Sequence, residues 1–321
     1  NAPASGAPAA QTPMLPAAPA ASAPNANPFP PPDPRNFTAA SPSKDTVDSF
    51  LRASWGYDPN RVWQVQAILK TPVAGVTRVV VLVAEKGGPK EQTAPLAFYV
   101  LPDGKHIIAD GVLPFGSRPF DENRQTIQSQ ANGPSKGASA KDLEFVEFAD
   151  FQCPHCKEAQ PIVDKLLADY PMAHFVFQNY PLVQVHPDAF QAAAYGVCVA
   201  KLSGNDAFFK FSDAVFAAQD QLTPQSADQT LKAAVTKIGG DPAKVAECAS
   251  GNAAKDAVDA SLNLGDELGV NSTPTIFING RGLPLNGLPY EALRSVIDFQ
   301  AKEDGVTLPP RPPAPPPPSL K

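Results

Sequence analysis

The sequence predicts an α/β fold in the second half of the chain and a small α+β unit in the first, flanked by proline-rich tails. Three observations carry this. A buried strand, a helix and a second strand follow one another over residues 143–179. Four runs rich in β-branched and aromatic residues lie within 43–116 behind one amphipathic helix. Of the 38 prolines, 20 fall in 1–43 and 309–321. A chain of 321 residues with 43% apolar residues can hold two domains with packed cores. No stretch has the roughly 20 consecutive apolar residues of a membrane span. The net charge of −6 is spread without a basic block, which gives nucleic-acid binding no support.

Residues 1–42 and 306–321 are dominated by proline and alanine and bury too little to order themselves. They are expected to act as semi-rigid spacers, with "RPPAPPPP" (311–318) alternatively a ligand for an aromatic groove. The chain opens on Asn1 rather than Met, so a leader or membrane anchor is expected to precede it. In 43–116, Ser43 or Asp45 caps a helix carrying Val47, Phe50 and Leu51. The strands are "VWQVQAILK" (62–70), "VTRVVVLVA" (76–84), "LAFYVL" (96–101) and "KHIIAD" (105–110), the last two joined across Pro102-Asp103-Gly104. No cluster of catalytic residue types occurs among them, so this unit is expected to bind, space or dimerise. Residues 117–140 are polar and punctuated by glycine and proline, and are expected to form a linker with one short helix.

From residue 141 to 305 the pattern is that of a catalytic unit. "LEFVEFAD" (143–150) is a buried strand. Residues 154–170 form a helix with Ile162, Val163, Leu166, Leu167 and Tyr170 on one face, and "HFVFQN" (174–179) is a second strand. If the two strands are parallel, the crossover is right-handed. Alanine-rich helices fill about 187–268. "TIFI" (275–278), an Asn279-Gly280 hairpin, a short strand at 283–285 and a helix at 289–302 complete the chain.

The chemistry is carried by "FQCPHCKEAQP" (151–161). A Cys-x-x-Cys pair that opens a helix places the first sulfur over free backbone N–H groups, which favour an anion. Cys153 is therefore the expected nucleophile and the more buried Cys156 its resolving partner, with His155 adding a positive or donating group. Stabilising the thiolate stabilises the reduced form and makes the disulfide a stronger oxidant. Among proteins with this motif the nucleophile's pKa runs from about 7 down to about 3.5, worth roughly 5 kcal/mol. Their potentials span about 150 mV, or roughly 7 kcal/mol, so this effect can supply most of the oxidising power. A structural disulfide across so short a spacing would need neither the helix start nor the histidine. A zinc site needs two further ligands, yet Cys198 and Cys248 are isolated and His106, His174 and His186 show no ligand spacing. No metal or cofactor is expected.

With these residues in view, the sequence resembles the DsbA-like branch of the thioredoxin superfamily, the thioredoxin fold with a helical insertion. Three ordered blocks carry the likeness over about 133–303: "VEFADFQCPHC", "HFVFQNYPLVQVHPDAFQAAA" and "GVNSTPTIFING". The resemblance implies that Pro274, preceded by Thr273, is a cis-proline beside the cysteines. The Thr273 backbone would then pair with an extended substrate strand, Pro154 helping to line the site. It implies that Glu147, six positions before Cys153, is a buried acid that takes a proton from Cys156. The strand 174–179 offers no lysine to pair with it. Pro161 is expected to kink the first helix. In the oxidising compartment that the resemblance implies, Cys198 and Cys248 pair in a structural disulfide.

The implied function is introduction of disulfides into exported, cysteine-containing proteins. The compartment is the bacterial periplasm or another extracytoplasmic space, with possible membrane tethering. A membrane-bound or thioredoxin-like partner would reset the cysteines. "FYVLPDGKHIIADGVL" (98–113) resembles the N-terminal domains of DsbC- and DsbG-type isomerases, which makes a homodimeric isomerase through 43–116 the alternative. A non-catalytic thioredoxin-fold binding module is a second alternative.

Overall fold

The computed structural model describes residues 28–87, 93–109 and 112–309. Most of the proline-rich spacers, including 311–318, lie outside the described residues.

The first unit is a helix on an antiparallel meander. Ser43 caps α1 (Lys44–Trp55), its Oγ accepting from the Thr46 N–H at 3.1 Å. The strands β1 (Arg61–Lys70), β2 (Thr77–Glu85), β3 (Ala94–Val100), β4 (His106–Ile108) and β5 (Val112–Pro114) pair in chain order. Val47, Phe50 and Leu51 of α1 meet the inward-facing Val65, Ile68, Val79, Val81, Phe98 and Val100. The period-2 alternation of the strands and the helical spacing of α1 thus close one core. Five strands form where four were expected, because β5 is only three residues long and too short to show a period.

The second unit is built on a sheet of order β10-β9-β7-β8-β6. Its members are β6 (Ser135–Gly137), β7 (Glu144–Ala149), β8 (His174–Asn179), β9 (Thr275–Ile278) and β10 (Arg281–Pro284). The central strand β7 runs parallel to β8 and antiparallel to β9. The helix α3 (Pro154–Asp169) makes the crossover from β7 to β8, with Pro161 inside it. Five helices lie between β8 and β9: α4 (Ala189–Ser203), α5 (Asn205–Ala217), α6 (Ala227–Lys237), α7 (Pro242–Ser250) and α8 (Asn252–Glu267). The last helix is α9 (Tyr290–Glu303). Phe145, Phe175 and Phe177 face α3 and the insertion, while Val146, Phe148 and Val176 face the opposite core. All six residues of β7 are buried.

The stretch 117–140 is not a linker. It contains α2 (Asp121–Gln130), whose Ile127 packs in the core with Val146, Val176 and Phe277, and β6, which pairs with β8. The short helix expected there is α2, but its docking on the core rests on one buried residue, and β6 reads Ser-Lys-Gly with no apolar period, so neither the docking nor the strand shows in the sequence. Among the described residues no helix is long and apolar enough to cross a membrane.

The two units are joined at Arg281. Its guanidinium donates to the main-chain oxygens of Ala53 and Ser54, the latter at 3.0 Å, and Nε donates to Gln300 Oε1 at 3.0 Å. The Phe120 ring lies 4.1 Å away. Burial lowers its pKa to about 10, leaving it a cation at neutral pH. The cation therefore sits where the last turn of α1 presents its free carbonyls. Next to it Gly56 admits Phe299, whose ring would lie 2.7 Å from any Cβ at that position.

Cys198 of α4 and Cys248 of α7, 50 positions apart in sequence, form a disulfide with Cα atoms 5.9 Å apart. A loop of this length contributes roughly 4 kcal/mol on the chain-entropy estimate. Substituting both by alanine should lower the denaturant midpoint accordingly while sparing thiol exchange at Cys153. Equilibrium unfolding beside an exchange assay checks both halves.

Candidate active site

The strand β7 ends at Ala149, and four residues later α3 begins with Cys153 as its N-cap in extended backbone and Pro154 at its first turn. Proline is tolerated there because that N–H has no partner within the helix. The Cys156 N–H bonds the Cys153 carbonyl at 3.1 Å, which sets the two cysteines on one helical turn. Cys153 has its pKa drawn down to about 5, chiefly by the Cys156 thiol that donates to it, with smaller help from Thr273 and from the N–H groups of Cys156 and His155 against the cost of burial. Cys156 is wholly buried, and burial pushes its thiol well above the ordinary value. One sulfur is thus an anion at neutral pH and the other a thiol.

His155 is exposed, and its Nδ1 lies 3.0 Å from Glu158 Oε2. That bond raises its pKa first, the charge on Cys153 adding less. The backbone N–H of His155 helps to lower the pKa of the Cys153 sulfur, while its ring couples to that sulfur through charge. The Thr273–Pro274 peptide is cis, and the Thr273 carbonyl lies 3.5 Å from Cys153 Sγ. The loop before β9 therefore borders the nucleophile, with the exposed Pro154 on the helix side.

Glu147 is fully buried, and neither of its oxygens has a hydrogen-bond partner. Burial pushes its pKa up to about 8, Lys136 opposing the rise and Asp164 adding to it. Its charge also raises the Cys156 thiol. A carboxyl that titrates near neutrality beside a buried thiol can carry that thiol's proton. Among the described residues no group of three or more His, Cys, Asp or Glu converges as metal ligands.

A family model described as "Thioredoxin" matches residues 129–299, just over half of the chain. The chain belongs to the thioredoxin family. The helices α4–α8 lie between β8 and β9 within the matched residues. The first sheet lies outside the matched residues. A Na(+)/H(+) antiporter NhaA 3 of Salinispora tropica is 31% identical over 163 residues, covering 51% of this chain and 23% of that protein. The chain thus spans about a quarter of the length of the antiporters it matches. Disulfide bond formation protein D of Bacillus subtilis is 25% identical over 178 residues, covering 53% of this chain and 77% of that protein. The crystal structure of oxidised BdbD from Bacillus subtilis has a TM-score of 0.48 and 24% identity, over 55% of this chain and 95% of that one.

Two features of this thioredoxin-family site escape the sequence. The lysine absent from 174–179 arrives from β6: Lys136 pairs with Phe175, Phe175 with Phe145, so Lys136 and Glu147 share the sheet face covered by α3. There Lys136 lies 3.8 Å from Asp164 and over the Phe209 ring at 4.5 Å. The second feature is a set of side chains that hold the CPHC loop. Gln219 Nε2 donates to the carbonyls of Phe151 and Cys153, both at 2.9 Å. Gln152 accepts from the Asp188 N–H at 2.7 Å and donates to the Leu222 carbonyl at 2.8 Å. The buried Asp150 accepts from Leu182 and His186. Each joins positions 32 or more apart in sequence, so no local spacing could reveal it.

The raised pKa of Glu147 has a consequence for stability. A carboxyl whose folded-state pKa exceeds its unfolded value binds its proton more tightly in the native state, so stability is full below the unfolded pKa and falls as pH rises through about 8. Glu147→Gln should therefore stabilise the oxidised protein, in which neither active-site thiol titrates, more at pH 8.5 than at pH 5. Thermal melts at the two pH values check the sign.

Proposed function

We propose that the chain is a thiol:disulfide oxidoreductase that works as an oxidase, introducing disulfides into cysteine-containing exported proteins. The observation that carries the reading is the asymmetry of the pair, a thiolate at Cys153 with its pKa near 5 and a buried thiol at Cys156. A stabilised thiolate favours the reduced enzyme and hence a strongly oxidising disulfide.

In the oxidising direction a substrate thiolate attacks Cys153 Sγ of the enzyme disulfide. The Cys153–Cys156 bond breaks, its electron pair goes to Cys156, and a substrate–Cys153 mixed disulfide forms. Protonated Glu147 gives its proton to the Cys156 thiolate. A second substrate thiolate then attacks the substrate sulfur, Cys153 leaves as the thiolate, and the substrate is released oxidised by two electrons. The low pKa of Cys153 makes it the better leaving group in this last step. The Thr273 backbone beside Cys153 is suited to pair with an extended substrate segment, as in β-strand addition.

The Cys198–Cys248 disulfide favours an oxidising compartment, periplasmic or otherwise extracytoplasmic. A redox partner, bound to the membrane or thioredoxin-like, is then required to return Cys153 and Cys156 to the disulfide. The isomerase alternative needs a dimer whose two sites face a shared cleft. The buried Arg281 joint favours the oxidase, because it packs the first unit onto the catalytic one rather than leaving it on a flexible arm.

Oxidation of a fluorescent dithiol peptide tests the reading. The disulfide form should oxidise it, Cys153→Ser should abolish the reaction, and Cys156→Ser should accumulate mixed disulfides. Mass in solution and refolding of a scrambled multi-disulfide substrate distinguish the alternatives. A monomer with weak reshuffling supports the oxidase. A dimer lost on deleting residues 1–116, with efficient reshuffling by the reduced form, establishes the isomerase, and binding without thiol exchange establishes the non-catalytic module.

A further inference from the structure

Asp150 and His186 have no part in the exchange steps above, yet the main chain of Asp150 touches both cysteines and His186 touches Asp150. The Asp150 side chain is fully buried. Its Oδ1 accepts from the Gln152 N–H at 2.7 Å, and its Oδ2 accepts from the Leu182 N–H at 2.8 Å and meets His186 Nδ1 at 2.7 Å. A carboxylate only accepts, so Nδ1 is the donor. The main chain of Asp150 faces both cysteines. Its N–H donates to Cys156 Sγ at 3.4 Å, and its carbonyl accepts from the Cys153 N–H at 3.1 Å. The orientation of this one residue therefore governs a donor to the resolving sulfur and the seat of the nucleophile.

Two of the three donors to the carboxylate are backbone groups of short loops. Among the described residues His186 is the only side chain that donates to it. It sits on the loop that leaves β8 where that strand ends beside β7, the Tyr180 N–H bonding the Ala149 carbonyl at 2.8 Å. Its side chain keeps 20% of its surface exposed.

We propose that His186 is a positioning residue for thiol–disulfide exchange, holding Asp150 so that its N–H points at Cys156 Sγ. When a substrate thiolate attacks Cys153 and the disulfide breaks, the electron pair arrives on Cys156, and this N–H is aimed at the developing negative charge. Removing the His186 donor leaves a buried carboxylate under-satisfied, which Asp150 relieves by turning, and its N–H leaves the sulfur.

This inference rests on the redox reading, and the experiment separates the two. The oxidised full-length chain is reduced with dithiothreitol, quenched in acid, alkylated and followed by mass. His186→Asn keeps an N–H donor near the position of Nδ1, whereas His186→Gln carries its donor near that of Nε2. The Asn variant should react within about twofold of the unsubstituted chain. The Gln variant should be slower by roughly tenfold to a hundredfold, the range for a misplaced donor to developing charge. The Cys153 thiolate titration, followed at 240 nm, should stay in place in both. If the Gln variant fails to fold, His186→Ala, which lacks the donor altogether, takes its place. Equal rates for the donor-keeping and donor-displacing variants overturn the proposal, whether both are fast or both slow. A loss of melting temperature with unchanged rates assigns His186 a merely structural part and also overturns it. An unsubstituted chain that oxidises no dithiol defeats the redox reading itself.

Discussion

The site depends on the burial of β7. A central strand paired on both edges and covered on both faces leaves no water to solvate Glu147 or the Cys156 thiol beyond its end. Ionising either group there costs much more than it does in water. The Cys153 sulfur, at the start of α3, instead meets N–H groups and the neighbouring thiol. Cys153, which accepts negative charge, thus lies six positions after Glu147 and three before Cys156, both of which reject it. The division of labour between the cysteines follows from that contrast, with no metal or cofactor invoked.

The helical insertion supplies what the sheet cannot. The CPHC loop leaves β7 with few main-chain partners, and a loop so placed would sample several conformations. Gln219, Gln152 and the Asp150–His186 pair tie it to segments that precede or lie within the insertion. Precision at the sulfur atoms then rests on side chains whose own rotamers are held by packing. The Cys198–Cys248 bond belongs to the same scheme, since it fixes α4, which starts directly after Asp188, to α7.

Much of this was legible in the sequence because the signals were local. The apolar run of β7, the facing residues of α3 and the Cys-Pro-His-Cys spacing each lie within a dozen residues, and the strands of the first unit are rich in β-branched and aromatic residues. Glu147 and Thr273-Pro274 could be placed only through the ordered blocks of the family likeness, since nothing about an isolated Glu or Thr-Pro announces burial or proximity to a sulfur. What stayed hidden depends on tertiary approach. Lys136 looked like a residue of a polar connector, yet strand pairing carries it to the face that holds Glu147. His155 showed the opposite limit: its position beside the cysteines was plain, but the side chain's attachment to Glu158 was not.

The Arg281 joint has a bearing on how the two halves can drift apart in sequence. On one side stands a specific side chain, able to offer several donors in a rigid plane. On the other side stand two carbonyl oxygens of a helix end, which every amino acid possesses. Residues 53 and 54 can therefore change identity wherever the new side chain fits, provided α1 still ends where it does, while position 281 has no comparable freedom. The joint is written in identity on one face and only in shape on the other, so the first unit can acquire a new outer surface without renegotiating its seat on the catalytic domain.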